Sequence, residues 1–324
     1  MKAVRLHEIG GPQKLVVDEV PQPQPQAGET LVHVRAGSLN HREVFITQGL
    51  YPNITLPCIL GADGAGEADG QAVVVDPTIG WGEDERAWSM DAHILGVPRD
   101  GTFAEYVCVP ATNVHEKPEH LSFEEAAALP LAGVTAFRAT FTRGELRPGE
   151  TILITGIGGG VQTFVLLYAK AVGARVVVTS GSDEKLERAK ALGADIAVNY
   201  KTDADWHKTV RKAAGTIDVA VDSAGGETFS KCTAIVRPGG RIVTYGGTTG
   251  DAKIRMFPVF WHQLDIRGSS MGSPKDFRAM LDFVSKHKIK PVIDRVYGMN
   301  DVVAAAERMN EAGQFGKIVL RMAP

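Results

Sequence analysis

The stretch TILITGIGGGVQ, residues 151–162, is the strongest indication of the fold of this chain. It begins as an apolar β-rich run, breaks into four glycines, and is followed by the apolar helical segment Phe164–Lys170. A glycine-rich turn between a strand and a helix lets the backbone approach a pyrophosphate, and the N–H groups at the helix N-terminus point at it. The next strand candidate follows at the distance that a βαβ unit requires. The stretch therefore predicts a dinucleotide site formed by Gly156, Gly158, Gly159, Gly160 and Val161.

From about Leu121 onward, helical and strand patterns alternate along the chain. The good helix formers Phe123–Leu129 open this part, and a series of strand candidates follows. These strand candidates are residues 151–155, 175–179, 196–199, 217–222, 241–245 and 264–269. Strands that alternate with helices indicate an α/β fold with a parallel, doubly wound Rossmann sheet and right-handed crossovers.

The first part of the chain has a different pattern. Short β-rich runs such as Leu15–Val17, Thr30–Val34 and Ala72–Val75 are separated by Pro and Gly, which is typical of an all-β region. A helix over Lys275–Lys286 and a β-like end over Gly316–Leu320 follow the Rossmann pattern, and we predict that this tail rejoins the first domain. The predicted domains are thus a β domain of residues 1–122 and 271–324 and a Rossmann dinucleotide-binding domain of residues 123–270.

Length, charge and composition favour a small molecule as the binding partner over nucleic acid or a membrane. A chain of 324 residues suggests about two domains. Its formal charge of −3 provides no basic surface for nucleic acid or an anionic membrane. No apolar run approaches the ~20 residues that span a bilayer, and the start Met1–Arg5 lacks the apolar core of a signal peptide. We therefore expect a cytoplasmic protein that acts on a small molecule, with Cys58, Cys108 and Cys232 as buried free thiols.

The end of the second Rossmann strand indicates which dinucleotide is preferred. An acidic side chain there would accept hydrogen bonds from the NAD ribose and repel a 2′-phosphate. The chain instead has Thr179 and Ser180, with Lys185 on the next helix. Asp183 and Glu184 also follow, and we interpret them as first-turn residues that stabilise the helix dipole. Small hydroxyls and a cation favour a phosphate, so Ser180 and Lys185 predict NADPH in preference to NADH.

Several motifs spread over the chain carry a family resemblance. They are Met1–Val4, Ala36–Glu43, Gly61–Gly66, Gly101–Tyr106, the glycine turn and Phe315–Val319. Together they resemble the medium-chain dehydrogenase/reductases over essentially the whole chain, and most closely the quinone oxidoreductase-like branch, whose members are often called zinc-type alcohol dehydrogenase-like. The resemblance implies a GroES-like β-barrel catalytic domain, a Rossmann domain, an active site in the cleft between them, and commonly a homodimer whose Rossmann sheets join edge to edge.

The resemblance also implies where a metal would be held. In zinc alcohol dehydrogenases of this family, a cysteine, a histidine and usually a second cysteine bind the catalytic zinc. The matching positions here are Asn40, Ala62 and Leu131. Side chains that are close in sequence and conceivable as unconventional ligands are His41, Asp63 and Glu67. We predict that no zinc is bound.

The predicted chemistry follows from that prediction. Without zinc, alcohol oxidation lacks a Lewis acid, whereas a quinone or α,β-unsaturated carbonyl spreads incoming negative charge onto an oxygen that hydrogen-bond donors can stabilise. The resemblance places Asn40 and Tyr51 at such positions, although Asn40 could instead stabilise a turn and Tyr51 could pack on the barrel. We predict an NADPH-dependent oxidoreductase that transfers hydride to this electrophile, with Asn40 and Tyr51 as catalytic residues. An alcohol dehydrogenase with an unconventional zinc site and a non-catalytic NADPH-binding protein stay as alternatives.

Further cofactor contacts are predicted beyond the glycine turn. The resemblance places Thr135 near the cofactor, with helix packing as the alternative. Gly246 and Thr248 follow the fifth Rossmann strand, and Ser270 and Met271 follow the sixth. Cofactors lie at the carboxyl edge of a parallel sheet, so we predict that these residues contact the ribose and nicotinamide.

Two features have no catalytic role assigned. The glycine turn of the family usually ends in another glycine where this chain has Gln162, which should alter the packing of helix against strand. Phe260 and Trp261 are aromatic neighbours that we interpret as interface or core residues.

Overall fold

The computed structural model describes residues 1–322. The strands, in chain order, are β1 (Lys2–Leu6), β2 (Leu15–Glu19), β3 (Glu29–Ser38), β4 (Cys58–Ile59), β5 (Asp63–Ala68), β6 (Gln71–Val75), β7 (Thr78–Ile79), β8 (His93–Ile94), β9 (Tyr106–Pro110), β10 (Val114–Glu116), β11 (Thr151–Ile154), β12 (Arg175–Ser180), β13 (Ile196–Asn199), β14 (Ile217–Asp222), β15 (Val236–Thr244), β16 (Asp265–Gly268), β17 (Ile293–Gly298) and β18 (Lys317–Arg321). The α-helices are α1 (His41–Thr47), α2 (Phe123–Ala127), α3 (Pro130–Phe137), α4 (Gly160–Ala171), α5 (Asp183–Ala191), α6 (Trp206–Ala214), α7 (Gly226–Ile235), α8 (Met256–Trp261), α9 (Pro274–His287) and α10 (Val302–Asn310).

The chain divides into two compact units. The first comprises Met1–Val134 and Gly272–Pro324, and the second comprises Thr135–Met271. The first boundary lies inside α3 rather than before Phe123, because α2 contacts β3 and β5 of the first unit. The C-terminal strand β18 pairs with β3, so the tail of the chain completes the first unit.

The first unit is built on a seven-stranded sheet. Its strand order is β10-β6-β5-β3-β18-β17, with β9 also paired to β3. Ser38, at the end of β3, pairs with Asp63 on one side and with Val319 on the other. Lys317 lies two residues before Val319, on the same face of β18, because side chains alternate along a strand. This register brings polar residues from three strands together.

The second unit contains the predicted Rossmann sheet. Its strand order is β13-β12-β11-β14-β15-β16, and all neighbouring strands are parallel. The predicted α/β fold with a parallel, doubly wound Rossmann sheet is thus confirmed, although β15 begins at Val236, five residues before the predicted start. The order reverses between β11 and β14, where ligands of open α/β sheets bind outside the carboxyl ends of the strands. A ligand of this unit is therefore expected at the edge where β11 and β14 end.

The three cysteines lie in the interior of the protein. Cys58, Cys108 and Cys232 are free and buried, as expected. Burial raises the pKa of the Cys58 thiol to about 11, so this thiol is held in its neutral form. Within residues 1–322, no helix is both long enough and apolar enough to cross a bilayer.

Candidate active site

The glycine turn connects β11 to α4 and leaves the helix N-terminus open. Gly156 has φ +66° and Gly158 has φ +143°, conformations that side-chain-bearing residues rarely adopt. Gly159 is the N-cap of α4, where no side chain caps the helix and no acidic residue stands in its first turn. Within residues 1–322, this twelve-residue helix thus begins without a side-chain cap on its first N–H groups. Such a terminus binds anions through its N–H groups and its dipole, which suits a pyrophosphate.

Cationic and hydroxyl groups lie around the end of β12, the strand next to β11. Lys185 packs against Gly158 so closely that a Cβ there would lie 3.3 Å from Nζ. Ser180 is buried at the end of β12 and its Oγ accepts a hydrogen bond from the N–H of Ser182. A Cβ on Gly181 would lie 3.0 Å from the Tyr200 hydroxyl and 2.9 Å from Cε of Lys201. Two lysines and two hydroxyls thus surround the end of β12.

The acidic residues after β12, Asp183 and Glu184, lie at the start of helix α5. Asp183 accepts a 2.7 Å hydrogen bond from the Asn199 side chain, and Asn199 in turn accepts from the N–H of Lys201. Asp183 and Glu184 both lie in the first turn of α5, where a negative charge stabilises the helix. Their placement agrees with the interpretation of Asp183 and Glu184 as helix-stabilising residues.

Gln162 lies across the point where the strand order reverses. Its Nε2 donates a 2.8 Å hydrogen bond to Ser223 Oγ, in the loop that follows β14. Its Oε1 lies 2.5 Å from where a Cβ on Gly159 would stand, so the absence of a side chain at Gly159 admits the Gln162 amide. The residue that replaces the usual glycine therefore connects the loops after β11 and β14.

Of the other predicted cofactor contacts, Gly246 and Thr248 lie close to the Gln162–Ser223 hydrogen bond. Thr248 donates its N–H to Ser223 O at 3.3 Å, and a Cβ on Gly246 would lie 3.0 Å from the same oxygen. Gly246 and Thr248 therefore lie beside Ser223 and hence near Gln162. At the sequence ends of the second unit, Thr135 and Met271 are buried, whereas Ser270 is exposed.

In the first unit, polar side chains meet at the ends of β3, β5 and β18. Asp63 is fully buried and accepts four hydrogen bonds. On Oδ2 the donors are Ser38 Oγ (2.7 Å), Asn40 Nδ2 (3.0 Å) and Lys317 Nζ (2.9 Å). On Oδ1 the donor is the backbone N–H of Leu131 (2.8 Å). The carboxylate is therefore neutralised by a buried ammonium and fully engaged.

The donor set of this cluster does not fit a catalytic zinc. A carboxylate has about four lone-pair sites, and Asp63 already accepts four hydrogen bonds. Lys317 adds a positive charge that repels a cation, and Glu67 is paired with Arg35 at 2.7 Å. Ala62 offers no ligand atom. In the part of the chain that the structure describes, no three His, Cys, Asp or Glu side chains are grouped to hold a metal ion.

Tyr51 is half-buried and packs against the core of the first unit. The Arg42 guanidinium lies over its ring, 4.8 Å from the ring centroid, and also donates to Glu43 Oε1 at 3.1 Å. Glu43 accepts a 2.7 Å hydrogen bond from the N–H of Asn40, the N-cap residue of α1. Burial raises the pKa of Glu43, and the Arg42 guanidinium opposes this effect. A chain of contacts therefore joins Tyr51 to Asn40.

Comparison with known proteins agrees with this architecture. Residues 26–119 match the family model of the alcohol dehydrogenase GroES-like domain, and residues 160–286 match that of the zinc-binding dehydrogenases. The zinc-type alcohol dehydrogenase-like protein YogA of Leptosphaeria maculans is 38% identical over 95% of this chain and 94% of that protein. The chain belongs to the medium-chain dehydrogenase/reductase superfamily.

Other relatives of this superfamily member have similar coverage. The zinc-type alcohol dehydrogenase-like protein C1773.06c of Schizosaccharomyces pombe is 35% identical over 97% of each chain. A crystal structure of an NAD-dependent alcohol dehydrogenase superimposes with a TM-score of 0.92 at 37% identity, covering 100% of both chains. The protein is therefore an oxidoreductase that uses a nicotinamide cofactor.

Sequence reasoning missed four residues of these sites. Tyr200 and Lys201 directly follow β13, the neighbour of β12, and the adjacency of these two strands was a signal that could have found them. Ser223 follows β14 and could have been found in the same way. Lys317 is 254 residues from Asp63, and only the pairing of β18 with β3 brings it to the cluster.

Proposed function

We propose that this protein is a zinc-independent, NADPH-dependent reductase of quinones or α,β-unsaturated carbonyls. The observation that carries the proposal is the Asp63 cluster. At the positions where the resemblance implies zinc ligands, Asn40 and Leu131 donate hydrogen bonds to Asp63, and a buried ammonium neutralises the charge of that carboxylate. The first unit thus offers hydrogen-bond donors in place of a Lewis acid.

A conjugated electrophile suits such donors. When bound, reduced nicotinamide supplies a hydride that forms a C–H bond at the conjugated carbon, shifts the π electrons onto the oxygen and leaves the oxidised cofactor. Asn40 would donate to that oxygen, and Tyr51 or water would supply the proton that completes the reduction. Donors placed where negative charge develops contribute strongly to rate, and a conjugated oxyanion needs less stabilisation than the alkoxide of a simple alcohol.

The preference for NADPH rests on the groups around the end of β12. Lys185, Tyr200 and Lys201 lie against Gly158 and Gly181, and no carboxylate ends the strand. Asp183 is held by Asn199 in the first turn of α5. These positive and hydroxyl groups favour a 2′-phosphate over a bare ribose hydroxyl.

A zinc-dependent alcohol dehydrogenase is the second candidate. Its support is the description of the matched family, zinc-binding dehydrogenase, and the names of the alcohol dehydrogenases among the relatives. Such an enzyme would contain stoichiometric metal and would lose activity with a chelator.

The experiment that tests the proposal is NADPH consumption, followed by absorbance, with a panel of quinones, enones and saturated aldehydes, together with NADP⁺ reduction in the presence of simple alcohols. We expect turnover with at least one quinone or enone, slower turnover with NADH, and none with saturated alcohols or aldehydes. Tight NADPH binding without oxidation by any electrophile would identify a non-catalytic binding protein. Equal use of NADH would overturn the cofactor preference.

We further propose that two copies associate through the free edge of the Rossmann sheet. Among the described residues 1–322, the edge strand β16 pairs with β15 alone, and the neighbouring helix α8 exposes Met256, Phe260 and Trp261 at 63, 61 and 66%. This exposure rules out core packing for Phe260 and Trp261. A second copy fits because β16 is self-complementary: antiparallel pairing centred on Ile266 places Asp265 opposite Arg267 of the partner subunit.

Light scattering in solution tests the association. We expect a mass of about twice one chain for the wild-type protein, and a monomer for Trp261→Glu, because a charge buried at an apolar interface is costly. Met90→Glu is the matched control, since Met90 is 99% exposed in the other unit, and this variant should stay dimeric. A monomeric wild-type protein, or a dimeric Trp261→Glu protein, would show that this edge is not the interface.

A further inference from the structure

Lys317 is buried beside Asn40 and donates all its hydrogen bonds within the protein. Its side chain is about 3% exposed, and Nζ donates to Leu39 O (2.8 Å), Asn40 Oδ1 (2.5 Å) and Asp63 Oδ2 (2.9 Å). An ammonium has three N–H bonds, so these acceptors engage every one. Lys317 therefore has no donor left for a substrate and can act on one only through its neighbours.

The Asn40 amide is held in one orientation by these contacts. Its Oδ1 faces the ammonium and its Nδ2 faces the carboxylate of Asp63. A flipped amide would place its NH₂ group against the Lys317 ammonium and its oxygen against Asp63, which is unfavourable at both ends. Nδ2 carries two hydrogens, and within residues 1–322 its one hydrogen bond is the contact with Asp63. The amide can therefore still donate one hydrogen bond, from Nδ2, whereas its oxygen already accepts one from Lys317.

We infer that Lys317 is a positioning residue that makes Asn40 a donor to the substrate oxygen. The ammonium fixes the amide so that only an N–H can reach a ligand, and it draws electron density toward Oδ1, which makes that N–H a stronger donor. Asp63 supplies the counter-charge that allows the ammonium to be buried. The inference rests on the proposed function, because the donor needs an oxygen that becomes negative.

A cycle of variants separates positioning from simple structural support. Lys317→Met alone leaves the Asp63 carboxylate buried without its cation, so the change is combined with Asp63→Asn to give a neutral pair. In the protein that keeps Asn40, we expect this neutral pair, Lys317→Met with Asp63→Asn, to lower kcat for the best electrophile by about tenfold and to leave the NADPH affinity unchanged. In the Asn40→Ala background the same pair should change kcat by less than about twofold, because residues that act as a unit are non-additive.

A binding measurement keeps the inference testable without turnover. The probe is 4-nitrophenolate, whose absorbance reports binding of an oxyanion to the protein with oxidised cofactor bound. We expect the affinity for 4-nitrophenolate to fall about tenfold in the neutral pair and also in Asn40→Ala. When the neutral pair and Asn40→Ala are combined, the affinity should fall no further. Lys317→Arg, which keeps the cation, should retain most of the wild-type affinity. Thermal unfolding identifies any variant that has lost its fold.

The outcomes separate the two proposals. A wild-type protein that reduces no electrophile contradicts the proposed function, while the phenolate cycle still decides the role of Lys317. The positioning role would be overturned if the neutral pair lowered kcat and phenolate affinity equally in the presence of Asn40 and of Asn40→Ala, or lowered neither quantity in either case. This holds even where the wild-type enzyme is active.

Discussion

Replacing Asn40 by alanine is expected to lower kcat for an accepted quinone or enone by about 10²–10³-fold, the usual cost of removing a donor to a developing oxyanion. The affinity for NADPH should change by less than about twofold, because the residues that we assign to the dinucleotide lie in the second unit. Steady-state kinetics and a fluorescence titration with NADPH measure the two quantities separately.

Asn113→Ala is the matched control for this variant. Asn113 is also a buried asparagine of the first unit, and its Nδ2 donates to Asp76 O (3.0 Å) and Thr78 O (2.8 Å). Its removal should lower the midpoint of thermal unfolding but leave kcat almost unchanged. A kcat for Asn40→Ala within about threefold of wild type, or an equal loss of kcat in Asn113→Ala, would contradict the catalytic role of Asn40.

Replacing Lys185 by methionine is expected to weaken NADPH binding by about 10–100-fold, the range for losing a hydrogen bond to a charged group. The affinity for NADH should stay within about twofold, because methionine keeps the apolar stem that packs on Gly158 and NADH carries no 2′-phosphate. Binding isotherms for both dinucleotides measure this difference.

Lys190→Met on the same helix is the control for general charge effects. Lys190 is exposed and paired with Glu187 at 2.7 Å, so its loss removes the same charge from α5 without touching the glycine turn. Both dinucleotides should bind this variant as they bind the wild type. Equal weakening of NADH and NADPH in Lys185→Met would show that Lys185 supports the turn rather than recognising the phosphate.

The parts of the fold that follow from local pattern could be predicted from the sequence. The glycine turn and the strands around it combine apolar runs of strand length with glycines that take positive φ, and both signals are local. The start of β15 was missed because Pro238 and two glycines interrupt the apolar pattern, although the backbone pairing begins at Val236.

The contacts within the candidate site join residues that are distant in sequence. Fewer of these contacts than of the helices and strands could be predicted from the sequence. Asn40 was predicted as a donor to the substrate, but its orientation is set by Lys317, and their contact exists only because β18 pairs with β3. Gln162 was recognised as a departure from the family pattern, but its partner Ser223 comes from a strand that lies next to β11 only in the folded sheet. Periodicity specifies elements, whereas register and strand order specify these pairs.

The rate of NADPH oxidation before and after exhaustive treatment with a chelator tests directly whether this protein reduces a conjugated electrophile without zinc. Zinc-independent reduction predicts the same rate in both samples with the best quinone or enone, and no stoichiometric metal in the untreated protein by elemental analysis. A rate that is lost on chelation and restored by added zinc would contradict it.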